Sequence, residues 1–130
     1  MPHLVLEYSA NVREDMDTAA LFGKLHTALV VAGGFRLQDF KSRAVRMNRY
    51  FIGDGSHEQS FVNLDVRTFG GKSTEARTAI SEAALAVLAE AFATTLRETA
   101  CDISVQVTEL DRPTFARTRS EDRDTWHTVG

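Results

Sequence analysis

Between positions 61 and 69 the chain alternates with a period of two: Val62, Leu64 and Val66 are apolar, while Asn63, Asp65 and Arg67 are polar or charged. Successive side chains of a strand point to opposite faces, so this segment fits a sheet with one buried face and one open face. Any fold for the chain must cover the first face and leave the second to water or to a partner.

The remaining elements are read around that strand. Residues 4–8 form a short strand, apolar until Glu7. Asn11, with Glu14 three residues on, is a variant of the capping box and predicts a helix over residues 15–32. Leu21, Phe22, Leu25, Ala28, Leu29 and Ala32 make its apolar stripe, and the Gly33-Gly34 pair supplies its left-handed stop. Residues 40–52 read as a long strand in which Lys41, Arg43, Val45 and Met47 share one face. The turn signal Gly53-Asp54-Gly55-Ser56 then predicts an antiparallel hairpin with residues 61–69. After Gly70-Gly71-Lys72, Ser73 or Thr74 caps a second helix, whose stripe is Ile80, Ala83, Val87, Leu88, Ala91, Phe92, Thr95 and Leu96. Ile103, Val105 and Val107 alternate in a last strand that stops at Pro113.

Strand, helix, strand therefore occurs twice, an architectural repeat of about 60 residues. The fold class is α+β: a duplicated β-α-β with a four-stranded mixed sheet and two helices on one face. One domain spans 1–130, with units at 1–52 and 61–110, a hairpin link at 53–60 and a tail at 111–130. The uncovered, partly apolar sheet face predicts a homo-oligomer in which sheets of several chains enclose a central space. Two readings of the tail stand open: Trp126 anchors it on a neighbouring subunit, or the end is disordered.

At 130 residues, 43% hydrophobic and 25% charged, the composition is that of one soluble globular domain. No apolar run approaches the roughly 18–20 residues needed to cross a bilayer, and the start lacks the pattern of a signal peptide. The expectation is a cytoplasmic protein. A net charge of −3 argues against a nucleic-acid or membrane partner. Its distribution says more, because Arg36, Lys41, Arg43, Arg46 and Arg49 face Asp39 alone within one segment. Such a stretch serves either an anion or the solubility of an edge strand. Cys101, the single cysteine, reads as a small buried residue near a strand start.

Few residues offer chemistry. Gly71-Lys72-Ser73 suggests a phosphate loop, but the glycine that pattern needs five residues earlier is Val66. Two glycines, a cation and a helix N-terminus still suit a carboxylate. His3, His26, His57 and His127 show no metal-ligand spacing, so neither a metal nor another cofactor is expected. His26 belongs to an exposed or partly exposed helix surface, and Glu7 reads as hydrogen-bonded structure. No serine stands in a nucleophile elbow. Pro2 is different: if Met1 is removed, the chain begins with a secondary amine. Free α-amino groups titrate near ~8, and burial or neighbouring cations favour the neutral, basic form.

Met1-Pro2-His3 before a strand and Glu7, the Asn11-Val12-Arg13-Glu14 helix start, Lys41-Ser42-Arg43, Asp54-Gly55-x-His57 and the Gly-Gly-Lys-Ser link together resemble the 5-carboxymethyl-2-hydroxymuconate delta-isomerases of the tautomerase superfamily. The likeness covers about residues 2–112. It implies the duplicated fold, a trimer, and a catalytic proline exposed by methionine removal. It also implies movement of a double bond in an unsaturated keto or enol di- or triacid from homoprotocatechuate degradation. Pro2 matches the catalytic proline, and Arg43 matches a family arginine. Lys41 and Lys72 stand where the family usually has arginine, which keeps the charge but loses the bidentate grip on a carboxylate. The resemblance thus makes Lys41, Arg43 and Lys72 substrate-binding. The competing class is a non-catalytic module that holds an acidic metabolite.

Overall fold

The computed structural model of the protein describes residues 1–120; Trp126 and His127 lie outside the described residues. Four strands, β1 (His3–Ser9), β2 (Lys41–Met47), β3 (Gln59–Phe69) and β4 (Ala100–Leu110), form one mixed sheet in the order β2-β1-β3-β4. β1 and β2 are parallel, β1 and β3 antiparallel, and β3 and β4 parallel. Helix α1 (Thr18–Gly33) makes the first crossover, and α2 (Thr74–Ala91) with α3 (Ala93–Glu98) makes the second.

Even-numbered residues of β1 and β3 point to the helices. Leu4, Leu6, Val62, Leu64 and Val66 are buried in one cluster with Leu21, Phe22, Leu25 and Leu29 of α1 and with Ile80, Ala84 and Leu88 of α2. Ile103, Val105 and Val107 complete the cluster from β4. Each fully buried leucine contributes about 2 kcal/mol by removing its side chain from water. The odd-numbered side chains of β1 from His3 to Glu7 and of β3, with the even-numbered ones of β4, form the open face.

The expected hairpin between residues 40–52 and 61–69 does not form: β1 lies between β2 and β3. The right-handed crossover through α1 sets β2 beside β1, and β3 then takes the other side of β1. The link from β2 to β3 must cross the end of β1, and it is far longer than the roughly 2–5 residues of a hairpin loop. The second strand is also shorter than expected, stopping at Met47.

Asn11 and Glu14 do not cap α1. Its N-cap is Asp17, which accepts from the Ala20 amide at 3.0 Å, while Gly34 ends it at φ 69°. Asn11 Nδ2 donates to the Gln59 carbonyl at 2.7 Å. Glu14 caps a different helix: its carboxylate accepts from the Thr94 amide at 2.8 Å, the Thr95 amide at 3.2 Å and the Thr95 hydroxyl. Those amides are diverted from the helical ladder, so the expected continuous second helix breaks at Phe92. Phe92 and Thr95 thereby stay buried, and Leu96, placed in the stripe by period, ends 40% exposed. Ser73 is the cap of α2, accepting from the Ala76 amide at 3.1 Å. Cys101 is half-buried in β4 rather than fully buried.

Candidate active site

β1 and β2 start, and β3 and β4 finish, at the same end of the sheet. Pro2 sits there, buried, at the entry to β1. It has no amide hydrogen to donate to a ladder, and its carbonyl accepts from the Lys41 amide at 3.1 Å. The start of β1 is therefore fastened directly to the start of β2.

Register then places charges around Pro2. His3 is the cross-strand neighbour of Lys41 on β2 and of Arg67 on β3, so the three share one row of the open face. Arg43, one row further, reaches back: its Nη1 lies 2.8 Å from His3 Nδ1. Arg67 is paired with Asp65 at 3.0 Å, and Asp65 also accepts from the Thr108 hydroxyl at 2.6 Å. The amino group of Met1 is held below its ordinary value of 8.0 by burial, then by Lys41 and Arg117, with Asp39 opposing them. Burial first, then Arg43, Lys41, the terminal amine and Arg67, lowers His3 below 6.5.

The residues singled out from the sequence are unevenly placed. Lys41 is bonded to Pro2 through the backbone, and Arg43 reaches His3, the residue after Pro2. Lys72 points to a different neighbour: its Nζ donates to the Gly33 carbonyl at 3.4 Å and lies 4.7 Å from the centre of the Phe35 ring. Phe35 in turn meets Phe40 edge-on at 5.6 Å, immediately before Lys41. Lys72 thus stands at the C-terminal end of α1, where a cation is favourable. His26 is half-buried, stacked on Phe40 at 4.4 Å, with Nε2 2.6 Å from the Ser42 hydroxyl.

Sequence reading missed three contributors. His3 and Arg67 were legible as odd positions of their strands, but only the register across β1 joins them. Arg117 carried no signal, since residues after Asp111 read only as a tail. In the structure, Arg112 lies 4.1 Å from the centre of the Phe69 ring, and Phe115 meets Phe69 edge-on at 5.0 Å. These contacts bring the first part of the tail to the Pro2 end. Among the described residues, no group of three or more His, Cys, Asp or Glu could hold a metal ion. No helix among them is long and apolar enough to cross a membrane.

Two β-α-β units sharing one four-stranded mixed sheet, with the helices on one face, make this a tautomerase fold. A solved fused 4-OT wild-type symmetric trimer matches 90% of this chain and 92% of its own at a TM-score of 0.66 and 15% identity. The sequence narrows the class. The family model described as 5-carboxymethyl-2-hydroxymuconate isomerase matches residues 2–121, and the chain belongs to that family, a family of isomerases. It is 29% identical over 110 residues to the 5-carboxymethyl-2-hydroxymuconate delta-isomerase of Escherichia coli, covering 85% of this chain and 87% of that one. The crystal structure of a 5-carboxymethyl-2-hydroxymuconate isomerase from Deinococcus radiodurans R1 aligns at a TM-score of 0.82 with 26% identity, covering 95% and 93% of the two chains.

Proposed function

We propose that the protein moves a carbon–carbon double bond within an unsaturated 2-hydroxy or 2-keto di- or tricarboxylate resembling 5-carboxymethyl-2-hydroxymuconate. Pro2, freed by removal of Met1, acts first as base and then as acid. The observation that supports this reading is the fastening of Pro2 to Lys41 at the head of the sheet, beside Arg43 and Arg67.

The neutral proline nitrogen takes the proton of the 2-hydroxyl or of the α-carbon. The electron pair left behind moves along the conjugated system, and the nitrogen returns the proton to a distal carbon. One proton is relocated and nothing is oxidised or reduced. Lys41 and Arg43 hold carboxylates and stabilise the charge that develops on the dienolate, the type of electrostatic effect that usually contributes most to such a step. Lys72 serves the far carboxylate by exchanging its long contact with the Gly33 carbonyl for a charged partner. The surroundings that lower the Met1 amine would act on a Pro2 amine one residue further in, favouring the basic form near neutral pH.

The same reading places the enzyme in the cytoplasm, in homoprotocatechuate degradation, as a homotrimer with open sheet faces turned inward. It needs no cofactor. While Met1 is attached, its bond to Pro2 makes the proline nitrogen a non-basic amide. Intact-mass spectrometry of the protein purified from its own cells, combined with ketonisation of 2-hydroxymuconate, is therefore the test. The expected result is a chain beginning at Pro2 and a Pro2→Ala variant slowed about 10- to 100-fold, because a primary amine remains. A retained Met1, or full activity in Pro2→Ala, would remove Pro2 as the base, and a chain that begins at Pro2 yet shows no turnover would leave only the binding module for an acidic metabolite.

A further inference from the structure

Arginine is a donor only and stays charged, so an Arg43 Nη1 to His3 Nδ1 separation of 2.8 Å requires His3 Nδ1 to accept. His3 is then neutral, with its hydrogen on Nε2. A protonated imidazole would carry a hydrogen on Nδ1, leaving two donors facing one another and two like charges in contact. No other polar neighbour is needed to reach this assignment. We propose that His3 is a positioning residue: its neutral ring holds the Arg43 guanidinium across the row boundary, beside the first row of the sheet, and releases it when the ring is protonated. This rests on the isomerase reading above, in which Arg43 grips a carboxylate of the substrate.

The neighbourhood supports a ring that resists protonation. From β2 it faces Arg43 and Lys41, and from β3 it faces Arg67. Asp65, one row along, is already engaged by Arg67 and Thr108. Glu7 lies two rows away on β1, and the terminal amine lies at the strand's head. The helices pack on the other face. The charges that act on the ring are therefore cations, Arg43, Lys41, the terminal amine and Arg67, while Asp39 acts on the neighbouring Met1 amine. Without an acceptor at position 3, Arg43 on its edge strand is an exposed, flexible side chain, and ordering it costs conformational entropy at each binding event.

The consequences separate positioning from mere structure. His3→Leu removes the acceptor, so KM for the dicarboxylate substrate should rise about tenfold with a smaller change in kcat. His3→Gln offers a carbonyl oxygen to the same guanidinium and should recover most of that loss. Wild type should also lose apparent affinity as pH falls through the ring's own titration, and His3→Gln, which cannot titrate, should lack this acidic limb.

The deciding experiment pairs these kinetics with nitrogen-15 NMR of the imidazole in the whole protein. The expected spectrum shows an unprotonated Nδ1 and a hydrogen on Nε2 at neutral pH, and His3 should titrate at a higher pH in Arg43→Gln. A hydrogen on Nδ1, equal KM values in His3→Leu and His3→Gln, or an unchanged acidic limb in His3→Gln would each overturn the proposal. The NMR result does not depend on turnover. If wild type proves inactive yet the spectrum is as expected, the isomerase reading fails while the His3–Arg43 pairing stands.

Discussion

Replacing Glu14 with alanine tests how the end of the sheet opposite Pro2 is held. The carboxylate accepts from two amides at the start of α3, Thr94 at 2.8 Å and Thr95 at 3.2 Å, and from the Thr95 hydroxyl. Thr95 is fully buried, so water cannot readily take over all three donors. Losing a helix cap costs about 1 kcal/mol, and a hydrogen bond to a charged group is worth about 1.5–3 kcal/mol. Because these overlap, about 2 kcal/mol is expected for the whole substitution, equivalent to roughly 8 °C in Tm for a domain of this size. Thermal melts followed by circular dichroism across pH supply the assay. Burial pushes the Glu14 carboxyl up, but the hydrogen bonds from the Thr95 hydroxyl and from backbone amides outweigh it, and the group sits below its ordinary 4.5. A lowered carboxylate stabilises the fold fully above its unfolded pKa, and that contribution is lost as pH falls through the folded value. The gap between wild type and Glu14→Ala should therefore be widest near neutrality and close in acid. Coincident melts, or a gap that persists unchanged at low pH, would refute the assignment. On the proposed isomerase reading, folded Glu14→Ala should keep its kcat, since Glu14 follows the far end of β1 from Pro2.

Ser73→Ala removes the cap of α2 and should cost about 1 kcal/mol in urea titration, with Ser73→Gly losing only a few tenths. Lys72→Met keeps an apolar stem beside Phe35 but loses the cation over the ring and the donor to Gly33, so about 0.5–1 kcal/mol should disappear from the same titration. His26 is lowered from 6.5 by burial, so its neutral form stabilises the fold above that pH and the contribution is lost as pH falls below it. His26→Phe should retain the stack on Phe40 and flatten the slope of stability against pH in this window, leaving the part due to His3.

The alternation in β3 and the strand–helix order were legible because each depends on local periodicity. The same logic placed Lys41 and Arg43 on one face, and they do share it. What failed depended on partners distant in sequence. Glu14 has the spacing of a local capping box, yet its donors are on α3, and nothing within the first helix reveals that. The glycine-rich turn at residues 53–56 suggested a hairpin because a turn signal records a change of direction and not which strand lies alongside. Lys72 was assigned from the link it occupies, but the Phe35 ring that receives it belongs to another loop. The His3 row illustrates the general limit: each residue's face followed from period two, while their adjacency required the register of β1 against two strands at once.

That register also accounts for the stiffness of the site. β1 is an inner strand whose even side chains, Leu4 and Leu6, are fully buried while its odd side chains carry the charged row. A slip of one residue would exchange the two sets, placing His3 in the core and leaving buried leucines in water at about 2 kcal/mol each. Lys41, Arg43 and Arg67 are bound by the same restriction through pairing with β1. Pro2 precedes this strand by one residue, and its carbonyl is already bonded to β2, so its nitrogen inherits the strand's position. A base that must return a proton to a distant carbon depends on such fixed geometry. On the proposed isomerase reading the core leucines of β1 act on the chemistry without touching it: Leu6→Val, still folded by circular dichroism, should show a lower kcat in the ketonisation assay.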